Sequence, residues 1–250
     1  MNHPVTVVTG GSRGIGAAIS TRLAKDGHHI ALGYHSDADA AEKVAAEIRA
    51  AGADCVTVRM DTADEGDVDR LFETAAAELG PVTGLVNNAG IGAPVGPLAE
   101  ADAAAMRRAL DVNVLGYLLC ARRAVRDMTR TGTATGTATG GGIVNISSAA
   151  ATLGAPGEYV HYAAAKGAVD TMTIGLSKEV AAHGIRVNAV APGVIWTEFH
   201  ADPQRPAKQA AGIPLGRSGQ PEEIAAAVAW LLSDEASYAT GTILRVAGGR

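Results

Sequence analysis

Short runs of apolar and β-branched residues alternate along the chain with longer segments that carry apolar residues on one helical face. The short runs predict buried strands and the longer segments predict helices. The predicted strands cover residues 5–9, 28–34, 54–60, 84–87, 143–146, 185–190 and 242–246. The predicted helices run from the glycine-rich turn 10–16 to about residue 25 and over residues 37–51, 64–79, 100–129, 158–182 and 222–232.

This alternation predicts a parallel sheet with helices on both faces. We therefore predict an α/β protein: a single, doubly wound, Rossmann-like domain over residues 1–250 with a seven-stranded parallel sheet. Two segments break the pattern. Residues 131–142 contain Thr-Gly-Thr-Ala twice and predict a mobile surface connection without a function of its own. Residues 194–217 are Pro-bounded and weakly periodic, which predicts a lid or substrate loop.

Composition narrows the class of partner. The chain is 47% hydrophobic, ample for a core, and its formal charge of −5 argues against a nucleic-acid surface. The two cysteines lack CxxC spacing and the seven histidines lack ligand spacing, so no disulfide framework or metal site is predicted. No secretory segment or membrane-length apolar run is present. We expect a cytoplasmic protein with no metal, nucleic-acid partner or membrane association.

A glycine-rich turn, Gly10-Gly11-Ser12-Arg13-Gly14-Ile15-Gly16, follows the first predicted strand and opens the first helix. This arrangement points backbone N–H groups and the positive end of a helix at a phosphate. An ordinary βα turn is the alternative, but the position directly after the first strand favours a dinucleotide site. The candidate cofactor residues here are Gly10, Ser12, Arg13, Gly14, Ile15 and Gly16.

The residues after the second strand bear on which dinucleotide binds. An NAD site places an acidic residue at the end of this strand for the ribose 2′-hydroxyl, whereas this chain has Gly33-Tyr34-His35-Ser36. Nothing in that run would repel a 2′-phosphate. Arg13 would favour one, although a solvated loop cation is the alternative for Arg13. We expect NADP(H) rather than NAD(H), with His35 and Ser36 among the cofactor residues.

Polar and small residues also follow the third and fourth strands, where a parallel sheet presents its carboxyl edge. Asn88, Ala89 and Gly90 come after the fourth strand and would line the cofactor cleft. Asp61 and Thr62 come after the third strand, and Asp61 is placed for the adenine.

Asn113 lies inside the predicted helix 100–129. Asn is a poor helix-interior residue unless its side chain bonds locally or serves a site. A functional role and a simple helix bend explain it equally well from the sequence.

Tyr162 and Lys166 lie four residues apart in the predicted helix 158–182, so phenol and ammonium can point into one site. An ammonium beside a phenol favours the phenolate and lowers a pKa that is otherwise about 10. Tyr162 would then serve as a proton donor for a carbonyl; a surface Tyr beside a Lys is the alternative. Ser147 and Ser148 end the fifth strand, and a hydroxyl there can face Tyr162 across the site.

With these pieces in order, the sequence resembles the single-domain short-chain dehydrogenase/reductase family along nearly its whole length. It resembles 3-oxoacyl-[acyl-carrier-protein] reductase-like and sugar dehydrogenase-like members. The resemblance rests on Thr9-Gly10-x-x-x-Gly14-Ile15-Gly16, Asn87-Asn88-Ala89-Gly90, Asn113, Ser148, Tyr162-x-x-x-Lys166 and Pro192-Gly193. It implies a homotetramer, or a dimer, formed through the long helices bearing Asn113 and Tyr162.

The resemblance also implies roles for the site residues. Tyr162 would be the catalytic acid/base, and Ser148 rather than Ser147 would hydrogen-bond the substrate oxygen. Lys166 would lower the pKa of Tyr162 and hold the nicotinamide ribose, while Asn113 would position a water for a proton relay. The remaining cofactor residues would be Pro192, Gly193, Ile195 and Thr197, the last at the nicotinamide carboxamide.

These roles imply an NADP(H)-dependent oxidoreductase that interconverts a ketone and a secondary alcohol by hydride transfer. Two alternatives stay open: an NAD-dependent sugar or polyol dehydrogenase, and a regulator that binds NADP(H) without chemistry. A 3-oxoacyl thioester, a sugar or polyol, and a small cyclic ketone all remain open as substrates. A partly apolar substrate pocket is suggested by Trp196, Phe199, Leu153 and Tyr159.

Overall fold

The computed structural model describes residues 3–92, 95–135 and 140–250. Within these residues one parallel sheet is formed by β1 (Val5–Thr9), β2 (His29–Tyr34), β3 (Cys55–Arg59), β4 (Val82–Asn87), β5 (Gly141–Ile146), β6 (Ile185–Pro192) and β7 (Ile243–Val246). The strand order is β3-β2-β1-β4-β5-β6-β7. The order therefore reverses between β1 and β4, where the carboxyl ends of parallel strands border a crevice.

Helices cover both faces of this sheet. They are α1 (Gly14–Lys25), α2 (Ala38–Ala50), α3 (Glu65–Glu78), α4 (Ala103–Leu110), α5 (Gly116–Thr135), α6 (Ala150–Leu153), α7 (Val160–Val180), α8 (Arg205–Gln209) and α9 (Pro221–Leu232). One face packs α1, α2 and α9 over strand side chains such as Leu32 and Val190. The other packs α3, α5 and α7 over Val7 and Leu85. The predicted α/β fold, a doubly wound Rossmann-like sheet of seven parallel strands flanked on both faces, is confirmed.

The helix predicted over residues 100–129 is present over residues 103–135, but it begins three residues later than predicted and is not α-helical throughout. Helix α4 begins after Asp102, whose carboxylate caps it by accepting the N–H of Ala105 at 2.8 Å. A π-helical turn, Asp111–Leu115, then separates α4 from α5. Inside this turn Asn113 donates from Nδ2 to the carbonyl of Ala109 at 2.9 Å. The sequence left a helix bend and a functional role open for Asn113, and this hydrogen bond within the π-helical turn shows the local irregularity.

The repetitive tract 131–142 is not simply the surface connection that its composition predicts. Helix α5 continues through residue 135, strand β5 begins at Gly141, and residues 136–139 lie outside the described part of the chain. A Cβ on Gly141 would lie 2.5 Å from Met128 Sδ, and one on Gly142 would lie 2.7 Å from Leu232 Cδ2. These two glycines are therefore packing residues of a strand.

The segment predicted as a substrate loop, about 194–217, contains the short helix α8. Part of it packs into the protein, since Pro206 and Ile213 are buried. A Cβ on Gly248 would lie 2.6 Å from Ile213 Cγ2, so the end of the chain fits tightly against this segment.

Over residues 3–92, 95–135 and 140–250, no helix combines the length and apolarity that a membrane crossing requires. The same residues contain no grouping of three or more His, Cys, Asp or Glu side chains that could hold a metal ion.

Candidate active site

A cavity of about 410 Å³, called here the central cavity, opens at the carboxyl edge of the sheet and runs from the glycine turn to Tyr162. Every predicted cofactor residue lines it: Gly10, Ser12, Arg13, Gly14, Ile15, Gly16, His35, Ser36, Asp61, Thr62, Asn88, Ala89, Gly90, Tyr162, Lys166, Pro192, Gly193, Ile195 and Thr197. Ser148 lines it as well, whereas Asn113 is fully buried beside it.

The glycine turn is held by close backbone approaches that exclude any side chain. Gly10 has φ +63°, and a Cβ on Gly16 would lie 2.1 Å from the carbonyl oxygen of Gly10. Asn88 Nδ2 donates to the carbonyls of Thr9 and Gly10, both at 3.0 Å. Thr9 Oγ1 accepts the backbone N–H groups of Asn88 and Ala89, each at 3.0 Å. A cradle that any Cβ would fill, facing a cavity, fits the pyrophosphate of a dinucleotide.

Asp61 lies at the opposite end of the central cavity from Tyr162, after β3. Its carboxylate accepts a hydrogen bond from Arg108 at 2.7 Å and another from the backbone N–H of Ala63 at 3.0 Å. Partial burial acts to raise the pKa of Asp61, but these hydrogen bonds and the Arg108 charge leave it below its usual value. Asp61 is therefore anionic at neutral pH and already paired.

A second cavity of about 400 Å³ adjoins the same end, lined by His35, Arg59, Met60, Asp61, Asp67 and Arg70. Arg59 Nε donates to the carbonyl of His35 at 3.2 Å, which holds a guanidinium beside the loop after β2. Asp37 also lines the central cavity, and its carboxylate caps α2 by accepting the N–H of Ala40 at 2.9 Å. The sequence interpretation passed over Asp37 because it lies three residues beyond the end of β2.

At the catalytic end, Tyr162 is surrounded by aromatic rings. Tyr159 lies edge-on with ring centroids 5.3 Å apart, and Phe199 lies 6.0 Å away in a tilted arrangement. Burial raises the pKa of Tyr162 well above its usual value; the Ser148 side chain partly counteracts this and Tyr159 adds to it. The phenol therefore keeps its proton at neutral pH in this structure.

Lys166 is 3% exposed, and it lines the same cavity as Tyr162, as the helical spacing predicts. Its ammonium donates to the carbonyl of Ile146 at 2.7 Å and to Tyr117 Oη at 3.1 Å, and lies 5.7 Å from the Tyr162 ring centre. Burial lowers the pKa of Lys166 to about 7, opposed by the charge of Asp170. The expected lowering of the Tyr162 pKa by Lys166 is therefore absent here, because burial dominates both groups.

The two serines after β5 differ in their surroundings. Ser147 is 2% exposed and donates to the carboxylate of Asp170 at 2.5 Å. Ser148 Oγ accepts the backbone N–H of Ala150 at 3.1 Å and interacts with the side chain of Tyr162. Ser148 is thus the serine whose hydroxyl is associated with the phenol, while Ser147 is committed to a neighbouring carboxylate.

The side chain of Asn113 forms hydrogen bonds to backbone groups. Nδ2 donates to the carbonyls of Ile91 and Ala109, both at 2.9 Å, and Oδ1 accepts the N–H of Ile91 at 3.3 Å. A Cβ on Gly90 would lie 2.8 Å from Asn113 Oδ1. Asn113 therefore fastens the π-helical turn to the segment after β4, which forms one wall of the central cavity.

Several residues in or next to the site were not identified from the sequence. Tyr117 lies one turn after Asn113, and Asp170 lies one turn after Lys166, so helical i,i+4 spacing could have indicated both. Arg205, which donates to Tyr159 Oη at 3.0 Å and pairs with Glu158 at 2.5 Å, had no such signal because the sequence around it is weakly periodic.

The suggested apolar pocket residues separate into two pairs. Tyr159 and Phe199 line the central cavity, whereas Trp196 and Leu153 do not and are 39% and 46% exposed. The polar side chains of Glu198, His200 and Arg205 join the first pair in the cavity wall.

A doubly wound sheet with a glycine cradle opening into a cavity defines a Rossmann-like nucleotide-binding protein. A family model described as "Enoyl-(Acyl carrier protein) reductase" matches residues 10–250. The chain is 46% identical over 249 residues to "Uncharacterized oxidoreductase YgfF" of Escherichia coli (strain K12), covering 98% of this chain and 99% of that one. It is 43% identical over 249 residues to "Cis-4-hydroxycyclohexanecarboxylate dehydrogenase" of Sinomonas cyclohexanicum, covering 98% and 95%.

A solved structure of a blue fluorescent protein from a metagenomic library, in complex with NADPH, is similar with a TM-score of 0.89 and 38% identity. The match covers 99% of this chain and 98% of that chain. The chain belongs to the short-chain dehydrogenase/reductase family, as its motifs indicated. It is an oxidoreductase of that family acting on alcohol or ketone substrates.

Proposed function

We propose that the protein is an NADP(H)-dependent oxidoreductase that interconverts a ketone and a secondary alcohol, with Tyr162 as the acid/base. One observation carries this proposal: a single cavity contains both the glycine cradle and the side chains of Ser148, Tyr162 and Lys166. Binding of the cofactor along the cradle would leave the substrate at the Tyr162 end, beside Ser148, Tyr162 and Lys166.

Each side chain at that end has a distinct task. When bound, the reduced nicotinamide supplies the hydride for the carbonyl carbon. Tyr162 donates its proton to the carbonyl oxygen, a task for which its raised pKa keeps the phenol protonated. Ser148 donates a hydrogen bond to the oxygen as negative charge develops there. Lys166 holds the nicotinamide ribose, and in alcohol oxidation Tyr162 accepts the proton instead.

The preference for NADP(H) is supported by guanidinium groups around the adenosine end. Arg13 lines the central cavity, and Arg59 and Arg70 line the adjoining cavity beside His35. Guanidinium groups match phosphate geometry and charge. The similar structure with bound NADPH belongs to a different protein and supports the same preference by analogy.

NAD(H) is the second candidate, and Asp37 favours it. This carboxylate lines the central cavity three residues after β2, where it could accept a hydrogen bond from a ribose hydroxyl. Its existing bond to the N-terminus of α2 weighs against that use. Comparison of kcat/KM for NADPH and NADH decides between the two, and an equal or higher value for NADH contradicts the NADP(H) preference.

The walls at the Tyr162 end support a compact ketone as the first substrate class to test. Tyr159 and Phe199 provide flat apolar surfaces close to the phenol, and a similar relative is a hydroxycyclohexanecarboxylate dehydrogenase by name. A 3-oxoacyl thioester and a sugar or polyol, including the alternative of a sugar or polyol dehydrogenase, belong in the same panel.

The experiment is NADPH oxidation against cyclic ketones, 3-oxoacyl thioesters and keto-sugars, with Tyr162→Phe measured alongside. We expect turnover in one class and a loss of roughly 10²–10⁴-fold in Tyr162→Phe, because the acid/base contribution disappears. Retained turnover in the variant contradicts the assignment of Tyr162. NADPH binding without turnover of any ketone or alcohol would instead favour a regulator, which has no use for a proton donor.

We also propose one cofactor-binding unit over residues 1–250 with a substrate loop at about 194–217, a cytoplasmic location and a homotetramer. Exposed apolar side chains on the long helices and adjoining turn, such as Leu115, Leu118 and Ile174, support assembly through these faces. Sedimentation as a monomer at micromolar concentration contradicts the tetramer. Sedimentation as a dimer contradicts the tetramer but supports assembly into a dimer.

A further inference from the structure

Tyr117 is a buried residue of α5 to which neither the family motifs nor the proposed mechanism gives a role. It is 0% exposed and lies in the first turn after the π-helical segment, four residues beyond Asn113. A Phe ring would fill this space without carrying a hydroxyl out of water, and a buried hydroxyl is costly unless it is hydrogen-bonded. The bonds made by the Tyr117 hydroxyl therefore indicate what it does.

The hydroxyl belongs to a closed set of three groups. Tyr117 Oη donates to the carbonyl of Ile146 at 3.1 Å and accepts from Lys166 Nζ at 3.1 Å. Lys166 Nζ donates to the same Ile146 carbonyl at 2.7 Å. The ammonium also lies 4.8 Å from the centre of the Tyr117 ring, within the range of a cation–π contact.

These hydrogen bonds fix the orientation of the Lys166 ammonium. An ammonium has three N–H donors, and two of them are committed to Tyr117 and Ile146 on the interior side. Lys166 nevertheless lines the central cavity, so the remaining donor is available to a ligand there.

We propose that Tyr117 is a positioning residue for Lys166, which favours the charged form of the lysine and directs its free N–H toward the bound cofactor and Tyr162. The proposal deepens the proposed function, on which it rests for the role of Lys166. Tyr117 itself touches neither substrate nor cofactor in this scheme and acts through the lysine.

Several ionisable groups face Lys166 and influence its protonation. On α7 these are Tyr162 and Asp170, and on α5 they are Tyr117 with Cys120 behind it. Asp170 in turn faces Ser147 from the end of β5 and Arg245 from β7.

Burial works against the lysine cation and brings its pKa to about 7, while Asp170 supports the charge. Hydrogen bonds to the ammonium and the aromatic face favour the charged form as well. Removing the Tyr117 hydroxyl leaves a buried N–H of Lys166 without that acceptor. The neutral form of the amine then becomes more favourable relative to the ammonium, so the pKa of Lys166 falls further.

Tyr117→Phe is the direct test, because it removes one oxygen and keeps the ring. Ketone reduction needs the charged lysine, so its rate declines as pH rises through the lysine pKa. We expect the alkaline limb of kcat to move about one pH unit lower in Tyr117→Phe, a roughly tenfold loss on that limb. KM for NADPH should rise several-fold because the free N–H is less well directed. Tyr238→Phe, on a fully exposed ring, should leave the profile unchanged.

A merely structural role is separated by a double-mutant cycle on NADPH affinity. If Tyr117 acts through Lys166, Tyr117→Phe weakens NADPH binding in the wild-type background and has no further effect in Lys166→Met. Equal losses in both backgrounds overturn the proposal. Tyr117→Met, which fills the site with a flexible apolar chain, repeats the cycle if the Phe variant folds poorly.

A final measurement needs no catalysis. Acetylation of Lys166 by acetic anhydride, followed across pH by peptide mass spectrometry, reports the pKa of the amine directly. We expect this pKa to fall in Tyr117→Phe and stay unchanged in Tyr238→Phe; an unchanged value in Tyr117→Phe overturns the proposal. Failure of the wild-type protein to reduce any ketone would count against the proposed function, whereas this titration would still decide the role of Tyr117.

Discussion

The two ends of the central cavity are built in opposite ways. At the glycine turn the walls are backbone: Gly10 and Gly16 approach other main-chain atoms so closely that no Cβ fits, and Asn88 fastens them. At the other end the walls are side chains that bring ionisable groups out of water, above all Tyr162 and Lys166. The shape of the first end depends on glycines, which have no Cβ, and the properties of the second depend on buried ionisable groups.

This difference has a physical consequence. A backbone cradle is fixed by sterics, so its properties should vary little with pH and change abruptly on substitution. A cluster of buried ionisable groups is fixed by hydrogen bonds and desolvation, so its properties should follow pH and respond to the loss of single hydroxyls. Four predictions test this contrast.

The largest expected effect is at the catalytic end. Ser148→Ala removes a hydroxyl that would stabilise the developing oxyanion, and we expect a loss of roughly 10²–10³-fold in kcat with NADPH affinity unchanged. Ser147→Ala is the matched control, since it deprives Asp170 of a hydrogen bond and should lower stability more than kcat. A harmless Ser148→Ala together with a damaging Ser147→Ala would reverse the assignment of the two serines.

The next effect is at the backbone end. In Gly16→Ala the new methyl carbon would lie 2.1 Å from the carbonyl oxygen of Gly10, so the turn must shift. We expect a destabilisation of about 3 kcal/mol, within the range for overpacking a rigid site, and a loss of NADPH binding. Gly175→Ala, on an open face of α7, should be neutral or stabilising. Denaturant unfolding and cofactor titration measure both variants, and equal behaviour of the two contradicts a steric cradle.

The third prediction concerns stability against pH. The pKa of Lys166 is lowered to about 7 in the folded protein, so between pH 7 and its unfolded value the unfolded chain binds more protons. The free energy of unfolding therefore rises with pH in that window. In the wild type we expect the free energy of unfolding to rise by about 2 kcal/mol between pH 7 and 9, since one pKa unit corresponds to about 1.4 kcal/mol. This rise should be absent in Lys166→Met.

The rise of the free energy of unfolding with pH ends near pH 9 because the two buried cysteines begin to oppose it. Burial raises the pKa of Cys55 and Cys120 to about 12, so above the usual thiol range these groups bind more protons in the folded state and oppose the lysine. Parallel unfolding curves for wild type and Lys166→Met at pH 7, 8 and 9 would show that the buried lysine carries no such cost.

The smallest effect is at the exposed rim of the cradle. Arg13→Ala should lower kcat/KM for NADPH about tenfold, the loss of a charge-assisted contact to a 2′-phosphate, and leave NADH unchanged. Arg22→Ala, in an exposed pair with Asp26 on α1, is the control for a lost surface cation. An equal loss with both cofactors would assign Arg13 to the pyrophosphate or to the loop itself.

Most of the sheet and the backbone end of the site could be predicted because their signals are local. The run Val5–Thr9 followed by glycines predicts a strand and a phosphate turn within one stretch of chain. The helix predicted over 100–129 was found, but its π-helical turn was not predicted, because the partner of Asn113 in this turn, Ile91, is distant in sequence. Gly141 and Gly142 were misinterpreted for a related reason: their neighbours Met128 and Leu232 lie on helices α5 and α9 and are not adjacent to them in sequence.

The sequence by itself determined the alternation of seven strands with helices expected of a doubly wound sheet, the glycine turn and the four-residue spacing of Tyr162 and Lys166. Such features follow from periodicity and from residues that sit next to one another along the chain. Tertiary structure alone decided that Lys166 bonds Tyr117 and Ile146 rather than the phenol, and that burial shifts the pKa of both ionisable groups. Desolvation depends on everything packed around a group, and helical spacing does not contain that information.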